Sequence, residues 1–268
     1  MNKVSIFTAP FFALTRIDFY RSVAESRPVK GIQYLLYLSL LSAFLTVYVF
    51  ATAGLPKIQE IVDWIKGAMP VITVTQEGLS IDAPSPYVMT HPVFGPMVHF
   101  DMGKDEVTRE DLTGGGIFVT KKRVYIQQGS EIKIYDVVEF FSRNERIPVG
   151  GANEVTPDSV QAFFDGAKAW FVVIFFLLFL PFFFIWKLVV AVFYSWFGLL
   201  MNMGRQDKLT YGQILNVSIF AMTASVFLQW LRLLVPPVNA IPLIDVIGIG
   251  LTFLYLSMAI HKTDQAPV

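Results

Sequence analysis

Four stretches of this chain run almost uncharged for the length a bilayer demands, and this constrains its fold more than any other feature. The first covers about Ile32 to Ala53. At 1.5 Å per residue such a helix crosses a hydrocarbon core of about 30 Å. The second is Phe163 to Trp186, the third about Tyr211 to Leu231 and the fourth about Leu243 to Ile260. Composition agrees: 54% of the residues are hydrophobic and only 16% charged, where a soluble domain spends about a quarter on charge. The expected fold class is an α-helical membrane protein with four transmembrane helices and an extracytoplasmic β-rich (α+β) domain inserted between helices 1 and 2.

The boundaries follow from local chemistry. Residues 1–31 mix Lys3, Arg16, Arg21, Arg27 and Lys30 with Ile6, Phe7, Phe11, Phe12, Leu14, Ile17 and Phe19, the pattern of an uncleaved, amphipathic cytoplasmic segment at a membrane surface. The first span, 32–53, is expected to end at Gly54 and Pro56. Ile58, Ile61, Val62 and Ile65 then recur on one helical face, with Lys57, Glu60, Asp63 and Lys66 on the other. Strand-like runs fill the rest of 54–162: Val71–Thr75, Gly78–Asp82, Val98–Asp101, Ile117–Thr120, Arg123–Gln127 and Glu131–Tyr135. The last three read as an antiparallel meander.

Thr156 and Pro157 announce the second span, 163–187, which Pro181 should bend. Lys187 is expected to mark its cytoplasmic end, followed by an interfacial helix and loop, 188–210; the alternative is that it snorkels from a longer, tilted span. The third span, 211–233, the fourth, 243–260, and a tail, 261–268, complete the chain. Basic residues flank the spans mainly on one side, which predicts both termini in the cytoplasm.

Chemistry-bearing patterns are sparse. Arg232 and Asp245 lie at facing ends of the last two spans, and a pair between them is a candidate intramembrane polar site. Gln213, Asn216, Thr223 and Gln229 make the third span polar, which suits helix packing or a pathway. His91 and His99 with Asp82, Asp101 and Asp105 match no metal spacing. Gly114–Gly116 lacks the Lys and Ser or Thr of a phosphate loop and reads as a turn. Asp105, Glu106, Glu110 and Asp111 read as a solvated acidic face. The absence of Cys and the formal charge of zero remove thiolate chemistry and argue against nucleic acid. No catalytic, cofactor-binding or metal-ligating residue is therefore expected.

Three strings resemble a known family: Phe11–Leu38 (FFALTRIDFYRSVAESRPVKGIQYLLYL), Gly115–Asp136 (GGIFVTKKRVYIQQGSEIKIYD) and Phe197–Ala224 (FGLLMNMGRQDKLTYGQILNVSIFAMTA). They are similar to the start, outer hairpins, and loop with third span of domain-of-unknown-function family 1189, a family of bacterial membrane proteins. The last string also resembles Yip-type membrane proteins. The resemblance implies a topology and a bacterial inner-membrane location, with no catalytic residues to carry over. The Pro-rich stretch Pro84–Pro96 departs from the family pattern and leaves the outer fold open.

The functional expectation is a non-enzymatic scaffold or sensor. Its partners would be the lipid bilayer and a protein bound through the extracytoplasmic domain. The alternatives are an auxiliary component of a sugar or lipid transport system and a lipid-modifying membrane enzyme.

Overall fold

The computed structural model describes residues 5–75, 78–108, 116–129, 131–137 and 154–262. Lys3, Glu110, Asp111, Gly114, Gly115, Ser130 and Asp264 lie outside the described residues. The chain forms two compact units, Met1–Thr52 with Val172–Val268, and Ala53–Phe171.

The first unit is helical. Helices α1 (Ala9–Thr15) and α2 (Phe19–Ala24) precede α3 (Pro28–Val49), and Pro28 occupies the first turn of α3, where no backbone N–H is needed. Ala9, Ala13, Tyr20, Val23 and Ala24 are buried in the helical core, and the Tyr20 hydroxyl donates to the Ala13 carbonyl at 3.0 Å. Phe7 and Phe11 stay exposed. The entering segment thus splits its apolar residues between the core and the surface.

Gly54 and Pro56 do not end the first long helix, contrary to expectation. A π-helical turn, Phe50–Gly54, leads into α4 (Leu55–Ala68). Pro56 falls in the first turn of α4, so its missing N–H breaks no bond.

Helix α5 (Pro157–Asn202) is 46 residues long. Its start is capped reciprocally: Ser159 N donates to Thr156 Oγ1 at 3.2 Å and Thr156 N donates to Ser159 Oγ at 3.1 Å. Lys187 lies inside this helix, which continues past it without a break to Asn202. Ala191, Tyr194 and Ser195 are buried among the other helices. The reason is that Lys187 finds an acceptor within the unit, so its charge does not need the surface.

The third apolar stretch is two helices, α6 (Tyr211–Ala221) and α7 (Thr223–Leu234), meeting at Met222. A 3-10 turn, Pro236–Ala240, precedes α8 (Ile244–Lys262). Contacts give the helix directions. Tyr34 meets Thr223 and Ser42 meets Trp230, so α3 runs parallel to α6 and α7. Tyr194 and Phe197 both pack on Phe253, and Gly198 abuts Leu256 and Ile260, so α5 and α8 run together. Gly248 abuts Ser225, and Asp245 meets Arg232, so α7 and α8 are antiparallel. The four long apolar helices, each long and apolar enough to cross a membrane, therefore alternate in direction.

The second unit holds α4 and two sheets. Strands β1 (Ile72–Thr75), β2 (Gly78–Ile81) and β8 (Glu154–Val155) form an antiparallel sheet in the order β2-β1-β8. The other sheet has the order β3-β4-β5-β6-β7, from β3 (Tyr87–His91), β4 (Gly95–Asp101), β5 (Gly116–Thr120), β6 (Arg123–Gln128) and β7 (Glu131–Asp136). The meander of β5, β6 and β7 is antiparallel as the alternation predicts. Strand β3 falls in the Pro-rich stretch that carried no strand expectation, and β4 pairs parallel with β5. Ile72, Leu79, Met89, Phe100, Val119 and Val124 form the core.

Candidate functional site

The helical unit holds several clusters of polar groups. The first centres on Lys187 of α5, only 4% exposed. Its Nζ donates to Ser42 Oγ at 2.9 Å and lies 4.6 Å from the centroid of the Phe183 ring. Ser42 Oγ also accepts from Trp230 Nε1 at 2.9 Å and donates to the Leu38 carbonyl at 2.9 Å. One hydroxyl thereby ties α3, α5 and α7 together, using its single donor and two acceptor sites. Among the described residues no carboxylate pairs with Lys187.

The sequence alone leaves Lys187 as either the end of a span or a residue within a longer helix, and the structure has the second. Its buried partner lies 145 residues away, and no local pattern reports such a contact.

At one end of the bundle the candidate polar pair is in contact: Arg232 Nη1 donates to Asp245 Oδ2 at 2.6 Å, with both side chains partly exposed. Next to it a cavity of about 310 Å³ lies between α5, α7 and α8. Trp186, Phe193 and Tyr194 form its aromatic wall, and Gln229 and Asp245 are its polar lining along with Ser225. The Gln229 side chain makes no hydrogen bond among the described residues. Trp186 and Lys187 are adjacent in α5, and Gln229 and Trp230 adjacent in α7. Each helix turns one residue to the cavity and its neighbour to Ser42.

The other polar residues of the third stretch act in packing. Gln213 closes a capping box with Thr210, Oε1 accepting from Thr210 N at 2.8 Å. Asn216, buried, donates from Nδ2 to the Ser26 carbonyl at 3.1 Å. Its Oδ1 finds no hydrogen-bond partner and sits where a Cβ on Gly31 would be, 2.2 Å away. The Thr223 and Tyr34 hydroxyls bond at 2.8 Å. Gln229 alone of the four lines the cavity.

At the opposite end Arg205, buried, donates from Nε to the Asp207 carbonyl at 2.9 Å and from Nη1 to the Ile260 carbonyl near the end of α8. A cation at a helix C-terminus satisfies orphan carbonyls and opposes the helix dipole. Asn202 brackets the same loop, exchanging two bonds with the Leu209 backbone at 2.9 and 3.0 Å.

In the β unit His91 Nδ1 accepts from Val93 N at 3.1 Å and its ring abuts Trp64, while His99 stacks on Phe118. Asp105 and Glu106 pair with Lys122 and Arg123 at 3.4 and 2.7 Å. Among the described residues no three His, Asp or Glu side chains gather as metal ligands would. The turn between β3 and β4 leaves Val93 78% and Phe94 69% exposed.

A family model described as "Protein of unknown function (DUF1189)" matches residues 7–260. No curated protein and no solved structure matches the chain.

Proposed function

Since the chain belongs to the family of proteins of unknown function DUF1189, we propose that it is a non-enzymatic scaffold or sensor of a bacterial inner membrane. In this reading the four apolar helices cross the bilayer with both termini in the cytoplasm. The β unit lies on the far side and binds an envelope protein. The helix directions support the threading, because four alternating helices return the chain to its starting side. The basic residues beside the spans favour the cytoplasm as that side.

One observation carries the partner: Val93 and Phe94, two large apolar side chains, are displayed at the β3–β4 turn. Exposed apolar groups clustered on a rigid hairpin are a common anchor for a protein contact. A photocrosslinking residue at Phe94 should trap a discrete envelope protein in living cells, and one at Ser80 should not. Identical diffuse products from both positions would discard the reading.

A second reading, an auxiliary part of a sugar or lipid transport system, draws on the Gln229 amide facing the cavity. Substrate-dependent flux in proteoliposomes that disappears in Gln229→Leu would favour it.

A further inference from the structure

We propose that the cavity between α5, α7 and α8 seats one phospholipid whose headgroup carries a primary ammonium, a phosphatidylethanolamine. The inference goes beyond the scaffold role and rests on one part of that reading, the placement of the helical unit in a bilayer.

The cavity is graded from polar to apolar along three helices. Asp245, Gln229 and Trp186 line it at the level of the Arg232 contact, while Phe193, Tyr194, Ser225 and Ile249 line it further along α5, α7 and α8. Because α5 and α8 run together and α7 runs against them, all three progressions point the same way, away from the Arg232–Asp245 contact. A headgroup at the charged end would thus continue into an acyl chain along the aromatic wall.

The charged end selects the headgroup. Arg232 and Asp245 present one guanidinium and one carboxylate side by side, 2.6 Å apart and open to the surroundings. A zwitterionic headgroup supplies the complementary pair: phosphate for Arg232 and ammonium for Asp245. A purely anionic lipid would leave Asp245 facing its phosphate. A trimethylammonium headgroup has no N–H to donate to the carboxylate. Gln229, whose amide is unpartnered at the cavity wall, can donate to an ester carbonyl just below the headgroup, satisfying a polar group that hydrocarbon would leave bare. The volume, about 310 Å³, is at the small end of ligand cavities, so it holds part of one chain and the rest lies in the bilayer.

The test uses the full-length protein in detergent, with native mass spectrometry and thermal unfolding after adding phosphatidylethanolamine, phosphatidylcholine or phosphatidylglycerol of matched chains. One phosphatidylethanolamine per chain should survive delipidation, with at least a fivefold preference over the other two and a rise in Tm that they do not give. Asp245→Asn should erase the preference. Gln229→Leu leaves the ion pair intact and should weaken retention several-fold, so it serves even if Asp245→Asn does not accumulate. Equal retention of the three lipids, a preference for phosphatidylglycerol, or unchanged binding in Gln229→Leu would overturn the site. Carbonate-washed membranes from the same cells separate the two ideas. Protein missing from them would defeat the bilayer placement, whereas embedded protein without headgroup preference would defeat the lipid site alone.

Discussion

Lys187 Nζ donates to Ser42 Oγ at 2.9 Å, joining the buried faces of α3 and α5. The hydroxyl that receives it also receives Trp230 Nε1. Two donors from two helices therefore depend on one small side chain. Removing Ser42 as Ser42→Ala orphans both and should destabilise the helical unit by about 1–3 kcal/mol, the usual loss when buried donors go unsatisfied. Replacing the cation with a side chain of similar volume, Lys187→Met, should be neutral or stabilising, since it also removes a buried charge that no carboxylate offsets. In the double variant the two effects should not add. Thermal unfolding of the four proteins in one detergent measures all of this.

A second prediction concerns Gly31. A Cβ there would stand 2.2 Å from Asn216 Oδ1 and 3.3 Å from Ile219 Cδ1. Asn216 is held by the Ser26 carbonyl and has no room to retreat. Gly31→Ala should therefore cost about 1–3 kcal/mol by overpacking, read as a lower Tm. Pairing it with Asn216→Ala should recover part of the loss.

Much of this architecture was legible in the sequence, and the misses share a cause. The presence of four long apolar stretches and the alternation of β5, β6 and β7 are local, so the chain displays them directly. Gly54 and Pro56 looked like a stop because each disfavours helix, yet a π-turn places Pro56 where a missing N–H is harmless. Lys187 looked like a boundary because a charge is expensive in an apolar helix; its acceptor, Ser42, is invisible to any window around it. Strand β3 was hidden by the prolines around it, and β8 is only two residues long. Position alone left Arg232 and Asp245 as either a pair or two separately solvated groups, and the contact decides for the pair; the cavity beside it needs three helices in register and leaves no trace in any one of them.

The β unit offers a backbone test. Gly78 has φ +122°, and a Cβ there would lie 2.3 Å from the Lys121 carbonyl, which accepts from Leu79 N at 2.7 Å. Gly78→Ala should destabilise this unit by more than about 1 kcal/mol. Limited proteolysis should then cut within Ala53–Phe171 at protease levels that leave the wild-type chain intact.

Alkaline pH should loosen the N-terminal helices. Burial above all, and then the nearby Tyr34 and Tyr255, push the Tyr20 hydroxyl well above its ordinary value. The folded state thus holds this proton more tightly than the unfolded chain. The associated stability is fully present below about pH 10, the ordinary tyrosine value, and is lost as pH rises beyond it. Tyr20→Phe cannot titrate, so its Tm should fall less steeply above that pH. Parallel curves for the two proteins would show that Tyr20 is not the group responsible.

The threading is the claim on which the functional reading stands, and the absence of cysteine makes it directly measurable. Single cysteines at Lys133 in β7, at Gln206 between α5 and α6, and at His261 near the end of α8 can be labelled with a membrane-impermeant maleimide. In intact spheroplasts Lys133→Cys should react, while Gln206→Cys and His261→Cys should react only after permeabilisation. Equal labelling of Lys133→Cys and Gln206→Cys without permeabilisation would contradict the account.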